Sequence, residues 1–311
     1  MSMIECHRKL LGDPVRNAAF VKALRRVIIP GKTTVADIGS GTGYLSFLAA
    51  KLGAKSCTLY EVGDVVHLSK EIAKQNGIRN CRFVHKHSTQ VRDPERADVV
   101  ISETLGNFAL EEHILETMND AKRFLKPGGT LIPQRLTQYV VPVISDRLHR
   151  EINVWDSIDD AINFSAAKSV GLQNMYVKTV RPDELLSGKE ALKIWDRVDF
   201  RKKESSIRTG SATWTLEKPV TCFGFALFWE CEVLPGITLS TSPEAPATHW
   251  EQIYLPLLAP LVAQKGSSLD IALHADARLG RGTHLRWDVT LRSPQQKEVK
   301  IVMDTRKGFI A

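Results

Sequence analysis

Hydrophobic positions follow two regimes along the chain. Up to about residue 140, short apolar runs alternate with stretches whose apolar residues recur at helical spacing. Thr33–Ile38 reads as a strand and is followed by a helix to about Leu52. Cys57–Glu61 reads as a second strand, and Asp64–Asn76 as a helix with Val65, Leu68 and Ile72 inward and Gly77 as its stop. Arg82–His85 and the apolar run Ala97–Ile101 read as further strands. Ile114, Leu115, Met118, Ala121, Phe124 and Leu125 mark the next helix, Lys126–Thr130 a turn, and Thr130–Pro133 a last strand. Ahead of all these, residues 15–28 form an amphipathic helix opened by Asp13-Pro14, an acid at the cap and proline in the first turn. It either lies over the first strand-to-helix turn as a lid or simply packs on the sheet. Strands alternating with helices predict a parallel sheet covered on both faces.

From Tyr139 onward the pattern becomes apolar/polar alternation bounded by turns, as in Ser211–Leu216, Gly224–Trp229, Asp270–His274 and Leu285–Leu291. That predicts an antiparallel, barrel-like β domain over residues 141–311. A helical excursion interrupts it at about 145–175, carrying Leu148, Ile152, Trp155, Ile158, Ala161, Ile162 and Phe164.

Composition narrows this picture only slightly. With 311 residues and 43% hydrophobic content, the chain buries a large core in one or two domains. The net charge of +7 suggests weak attraction to anions, yet 25% charged residues of both signs is ordinary, and no dense basic tract with interleaved aromatics argues for nucleic acid. Cys6, Cys57, Cys81, Cys222 and Cys231 are odd in number and lack metal-ligand spacing, so no metal is expected and reduced thiols in a cytoplasmic protein are the simplest account. The longest apolar run, Val220–Trp229, is too short to span a bilayer, and no membrane role is expected.

Two stretches carry candidate chemistry. After the first strand come Gly39, Gly41 and Gly43, glycines at a strand-to-helix turn that let backbone N–H groups approach a ligand closely. A dinucleotide fingerprint would require glycine at position 44, which is Tyr44. Glu61 ends the second strand about twenty residues past the glycines, where a carboxylate can accept both ribose hydroxyls. The second stretch is Ser102–Glu112, SETLGNFALEE, between a strand and a helix. Glu103 and Glu112 are nine positions apart with Gly106 between them, and a folded-back loop would bring them together. Converging carboxylates repel unless one is protonated or a cation lies between them, and a planar guanidinium fits that slot. On this stretch alone, a solvated loop with ordinary surface acids is the competing reading.

SETLGNFALEE resembles the double-glutamate loop of the protein arginine methyltransferases, whose spacing selects Glu112 over Glu111. VADIGSGTG resembles the first motif of S-adenosylmethionine-dependent methyltransferases. LKPGG followed by Pro133 is common in that class, and residues 239–252, LSTSPEAPATHWEQ, resemble the family's Thr-His-Trp loop. The resemblance runs from about His7 to near the C-terminus. It implies a Rossmann-like S-adenosylmethionine-binding domain over residues 1–140 and a β-barrel-like substrate domain over 141–311. The excursion at 145–175 would be a helical dimerisation arm making a homodimer, although an insertion packed on its own domain fits the sequence equally.

Residue by residue, the resemblance implies that Glu103 and Glu112 clamp the arginine and that His249 pairs with Asp13 as a proton acceptor. Arg16 would pair with the cofactor carboxylate, Asp37 would orient the glycine loop and the methionine end, and Gly39, Gly41, Gly43 and Glu61 would hold the cofactor. Ser88 and Thr89 stand where the family places an acid against the adenine, and Trp250 would wall the arginine slot. His85 and His87 read as surface or strand-end residues. Two departures stand out: no counterpart of the family's aromatic N-terminal helix in Met1–Cys6, and leucine at position 10, where methionine is common. The implied reaction is methyl transfer from S-adenosylmethionine to a guanidino nitrogen of arginine in proteins or peptides. Rival readings are a methyltransferase for free arginine or another small guanidino compound, an RNA methyltransferase, and a catalytically silent scaffold.

Overall fold

The computed structural model describes residues 3–158, 162–188, 191–294 and 297–308. Helices α1 (Met3–Leu11) and α2 (Pro14–Val27) lead into β1 (Thr34–Ile38), α3 (Tyr44–Lys51), β2 (Ser56–Glu61), α4 (Val65–Gln75), β3 (Cys81–His85), β4 (Ala97–Ile101), α5 (Ile114–Ala121) and β5 (Leu125–Ile132). The five strands pair in parallel in the order β3-β2-β1-β4-β5. The chain winds outward from β1 to β3 and then returns to place β4 on the other side of β1. The winding direction therefore reverses between β1 and β4, and the crevice at their carboxyl ends is where an open α/β sheet binds ligands. The glycine turn follows β1 and the two-acid loop follows β4, so both line this crevice.

Two expectations need correction here. Lys126–Gly129 is not a free turn but lies inside edge strand β5, whose register against β4 shifts between Ala97 and Val99. An edge strand tolerates proline and glycine because one side needs no partner. A helix also forms where none was read: α1 is nine residues long, with Met3, Ile4, Cys6, Leu10 and Leu11 among Glu5, His7, Arg8 and Lys9, too short a stretch to establish a period. The helix expected at 15–28 is present as α2. The Asp13 carboxylate caps it by accepting the Arg16 backbone N–H at 2.9 Å.

The second half continues with β6 (Arg135–Val143), α6 (Arg147–Ile152), α7 (Ser165–Gly171), β7 (Tyr176–Lys178), β8 (Lys193–Asp199) and β9 (Ile207–Thr215). It ends with β10 (Val220–Leu234), β11 (Ile237–Ser240), β12 (Gln252–Ala263), β13 (Ser268–Asp276), β14 (His284–Arg292), β15 (Val299–Asp304) and α8 (Thr305–Gly308). One antiparallel sheet runs β7-β12-β10-β6-β8 with β11 on β10, and a second runs β15-β14-β13-β9. Their inner faces share Trp195, Trp214, Phe225, Leu255, Ile271 and Trp287 in one core, the barrel-like arrangement that the alternation predicts. The expected helical arm is present as α6, a short turn at Val154–Ser157 and α7, with positions 159–161 outside the described residues. No described helix is long and apolar enough to cross a membrane.

The same core continues into the parallel half, and tryptophans hold the junction. The Trp250 indole N–H donates to the Leu105 carbonyl at 2.6 Å, and the Trp229 indole N–H lies 3.2 Å from the carbonyls of both Gly106 and Asn107. The two indoles meet edge to face at 5.0 Å, and Phe108 stacks on Trp195 at 6.2 Å. The loop after β4 is thus pinned from the β domain. Trp250→Phe keeps an aromatic ring but strands a buried carbonyl, so we expect a loss of about 1–3 kcal/mol in denaturant melts.

Candidate active site

The loop after β4 starts with Ser102, whose backbone N–H bonds the Ile132 carbonyl and whose hydroxyl bonds the Ile38 carbonyl at 2.9 Å. Those bonds tie β5, β4 and β1 together at their carboxyl ends. Gly106 sits where the loop folds on itself: a Cβ there would lie 2.7 Å from both the Phe108 carbonyl oxygen and the Glu111 Cβ. The fold-back separates the roles of the two adjacent acids. Glu111 turns inward, and its Oε2 accepts the Phe108 backbone N–H at 3.2 Å. Glu112 stays exposed at the opening. The carboxyl of Glu112 is nonetheless pushed up to about 7, first by desolvation and then by the negative charges of Glu103 and Glu111. Glu112 is thus within electrostatic range of Glu103, the acid with which it was expected to converge.

Glu103 is buried, and it already holds a guanidinium. Arg16, also buried, donates from Nε at 2.7 Å and from Nη2 to the same oxygen, Oε2. Its Nη1 donates to Asn17 Oδ1 at 3.0 Å, and its guanidinium carbon lies 5.3 Å from the Phe20 ring centre. This departs from the expectation that Arg16 faces the cofactor. Glu103 lies within reach of its long side chain, and a buried guanidinium takes an ionic partner wherever one is available.

The glycine turn brings Gly39, Gly41 and Gly43 together at φ of 72°, 53° and 85°, the left-handed region that disfavours side chains. Asp37 lies behind the turn, fully enclosed. It accepts the Ser46 hydroxyl of α3 at 2.7 Å, and burial raises its carboxyl to about 7. It therefore fixes the helix that follows the turn and does not open into the crevice. Glu61 binds the turn itself, its two oxygens accepting the N–H groups of Gly41 and Gly63 at 2.7 Å each. Each oxygen retains a lone pair for a ribose hydroxyl. The buried hydroxyls of Ser40, Thr104 and Thr248 have no hydrogen-bond partner. A turn without side chains, an acid with spare acceptor capacity and orphaned hydroxyls together fit the nucleoside and amino-acid ends of S-adenosylmethionine.

Asp13 and His249 come together as expected: Asp13 Oδ2 lies 2.8 Å from His249 Nδ1 and accepts the His249 backbone N–H at 2.9 Å. Burial is the largest single influence on the Asp13 carboxyl and raises it, but the bonds from the Arg16 N–H and from His249 together outweigh it and hold the carboxyl below its ordinary value. Trp250 departs from its expected place. Its ring is 2% exposed and its N–H is spent on Leu105, so it braces the loop from behind and does not wall the slot. Ser88 is buried, whereas the exposed Thr89 directs its hydroxyl to His87 Nδ1 at 2.7 Å. Neither joins the cluster around Glu103.

Sequence reasoning missed His7. From α1 its ring packs against the turn, so close that a Cβ on Gly41 would meet it at 2.7 Å. Its basicity is lowered first by burial, an effect opposed by Glu61 and reinforced by Arg16. No periodic signal marks it, since contact with a glycine 34 positions on leaves no local pattern. His85 is also less isolated than it read: Asp64 and His67 bring ligand-type atoms within 4.8 Å of it. All three are exposed, and His85 Nε2 is bonded to the Val62 carbonyl at 3.0 Å.

The raised carboxyl of Glu112 sets a sign for stability. Its ordinary value is 4.5, so the fold favours the neutral form between there and about 7. The charged form therefore costs stability, nothing below about pH 4.5 and the full amount above about pH 7. Glu112→Gln is expected to raise the melting temperature at pH 8 and to leave it unchanged at pH 4, measured by calorimetry.

Residues 134–293 match the family model of the arginine methyltransferase oligomerization subdomain, and residues 18–155 that of the ribosomal protein L11 methyltransferase. A probable protein arginine N-methyltransferase 6 of Arabidopsis thaliana is 26% identical over 309 residues, covering 85% of this chain and 71% of that protein. Protein arginine N-methyltransferase 6 of Xenopus tropicalis is 29% identical over 270 residues, covering 82% and 79%. Among solved structures, the Trypanosoma brucei PRMT1 enzyme-prozyme heterotetrameric complex with AdoHcy aligns with a TM-score of 0.83 at 22% identity, covering 96% of this chain and 97% of that one. Arabidopsis protein arginine methyltransferase 10 aligns at 0.80 with 19% identity and 98% coverage of both chains. The family match spans more than half of the sequence and the fold agrees over nearly all of it, so the chain belongs to the protein arginine N-methyltransferase family.

Proposed function

We propose that the protein methylates a guanidino nitrogen of arginine residues in proteins or peptides, with S-adenosylmethionine as donor. One observation supports this most directly: Glu103 receives a planar guanidinium through two N–H groups, and a second carboxylate, Glu112, lies close enough to feel its charge. When bound, S-adenosylmethionine supplies an electrophilic methyl group on a cationic sulfur. The turn at 39–43 and Glu61 would hold it, with Ser88 and Thr89 toward the adenine.

The chain's own groups do the rest. Glu103 and Glu112 hold two edges of the substrate guanidinium and draw its positive charge toward the N–H groups they bind. The remaining terminal nitrogen is left with a more available lone pair. Prior deprotonation is unnecessary, which matters because an arginine pKa of about 12.5–13.8 makes it prohibitive near neutrality. Alignment at a near-attack distance of about 3–3.5 Å supplies much of the acceleration. Once methylated, that nitrogen is acidic, and its proton leaves to Glu112 or to the His249 ring held by Asp13.

The proposal extends to assembly and compartment. A homodimer through the arm at 145–175 is supported by Val154, Ile158 and Ile162, which are 47%, 37% and 63% exposed on that excursion. A reducing, cytoplasmic setting is supported by five free cysteines.

Glu112 gives the cleanest test of the clamp, because changing Glu103 would also leave Arg16 without its partner. Glu112→Gln is expected to lower kcat/KM for an arginine peptide by about 10²–10³, while S-adenosylhomocysteine binds within a few-fold of the parent. Methyl transfer within a few-fold of the parent would refute the clamp. For assembly, Ile162→Lys is expected to convert a dimer to a monomer in light scattering.

A further inference from the structure

We propose that Asp64, His67 and His85 form a binding site for a divalent transition-metal ion, with zinc the best match, which ties the end of β2 to the end of β3 beside Glu61. The site is separate from the acids after β4, and it stands whether or not the chain transfers methyl groups.

Three elements bring the donors together. Asp64 closes the short link after β2, His67 lies in the first turn of α4, and His85 ends β3. Strands β2 and β3 pair in parallel with Glu61 opposite His85, so the link and the strand end meet at one edge of the sheet. Each residue offers one ligand-type atom, and the three atoms lie within 4.8 Å of one another. His85 Nε2 is 3.9 Å from Asp64 Oδ1, and the two imidazole rings meet edge to face at 5.4 Å. The Val62 carbonyl oxygen, 3.0 Å from His85 Nε2, adds a fourth donor.

Among the described residues, the fold does not spend Asp64 or His67 elsewhere. Asp64 stands at the start of α4 but its side chain caps no backbone N–H, and that side chain is 96% exposed. The His67 ring has no hydrogen-bond partner, and its ring contact is His85. Two imidazoles and a carboxylate make a mixed nitrogen–oxygen set. It suits zinc, nickel or copper, and not calcium or magnesium, whose shells are built from oxygen. Ligands about 2.0–2.2 Å from such an ion stand about 3.0–3.5 Å apart. The Val62–His85 spacing already meets this. The other donors need to close by about 1 Å, which exposed side chains reach by changing rotamer. Coordination at Nε2 places the ring proton on Nδ1, a tautomer exchange that leaves the fold intact. The amino end of α4 repels a cation, and the Asp64 carboxylate supplies the opposing charge there.

The ion would act on the neighbouring acid through the backbone. Gly63, between Val62 and Asp64, donates to Glu61 Oε1 at 2.7 Å. A metal bound on both flanks of Gly63 holds that N–H on the carboxylate and stiffens the segment that carries Glu61.

The test titrates zinc sulfate calorimetrically into the full chain, stripped of metal by a chelator and free of any histidine tag. The expected result is one zinc per chain, with a melting temperature raised by zinc in excess of its dissociation constant and unmoved by magnesium. Cobalt(II) gives an optical readout, because a thiolate ligand adds an intense charge-transfer band that nitrogen and oxygen ligands do not. No such band is expected. His67→Ala and His85→Ala should each weaken zinc binding by at least about tenfold. Asp64→Ala should weaken it likewise, and its nearly full exposure keeps the test decisive if a histidine variant misfolds. His87→Ala, which removes a neighbouring histidine outside the cluster, should bind zinc as the parent does. Absence of zinc binding, a thiolate band with cobalt, or a loss in His87→Ala as large as in His85→Ala overturns the proposal.

Discussion

The site exists because two indole N–H groups reach across from the β domain to the loop that carries the acids. Trp250 holds Leu105, and Trp229 holds Gly106 and Asn107. A loop carrying two acids would otherwise spread into solvent, where its charges separate cheaply. Pinned at three successive carbonyls and folded at Gly106, it must keep Glu103 and Glu112 in one neighbourhood. The parallel sheet supplies the floor and the antiparallel sheets supply the fastening, so neither half of the chain contains the clamp by itself.

Confinement of like charges then governs the electrostatics. Glu112 is pushed to about 7 because desolvation at the mouth of the crevice and two neighbouring carboxylates all disfavour its charge. Asp37 reaches about 7 mainly through enclosure. Arg16 is the cation that keeps Glu103 compatible with this crowd. The same acidity that makes the crevice costly to the fold makes it receptive to a guanidinium. Burial raises the Glu111 carboxyl as well, and the Phe108 N–H that it accepts works against that shift.

Much of this was legible in the chain. The strands around the switch point announce themselves as apolar runs such as Val99–Ile101, and the glycines and Glu61 follow from what a strand-to-helix turn needs. The Asp13–His249 contact, 236 positions apart, was reachable only through the resemblance, and it formed. What periodicity could not carry was partner choice. Arg16 was read against a cofactor carboxylate and is found on Glu103, and sequence does not rank two carboxylates. Trp250 was read as a wall through the resemblance to the Thr-His-Trp loop, yet its N–H donates to the interior Leu105 carbonyl. Helix α1 escaped notice because nine residues are too few to establish a period, and its contact with the glycine turn, His7 on Gly41, is tertiary.

Asp13 serves both halves of the chain at once. One of its oxygens starts α2 by capping Arg16, and the other holds both the ring and the backbone of His249 in the opposite domain. Architecture and proton chemistry therefore share a single carboxylate. A kinetic defect in any Asp13 variant would mix a frayed helix start, a loosened domain seam and a misaligned imidazole, so evolution cannot adjust one of these without disturbing the other two.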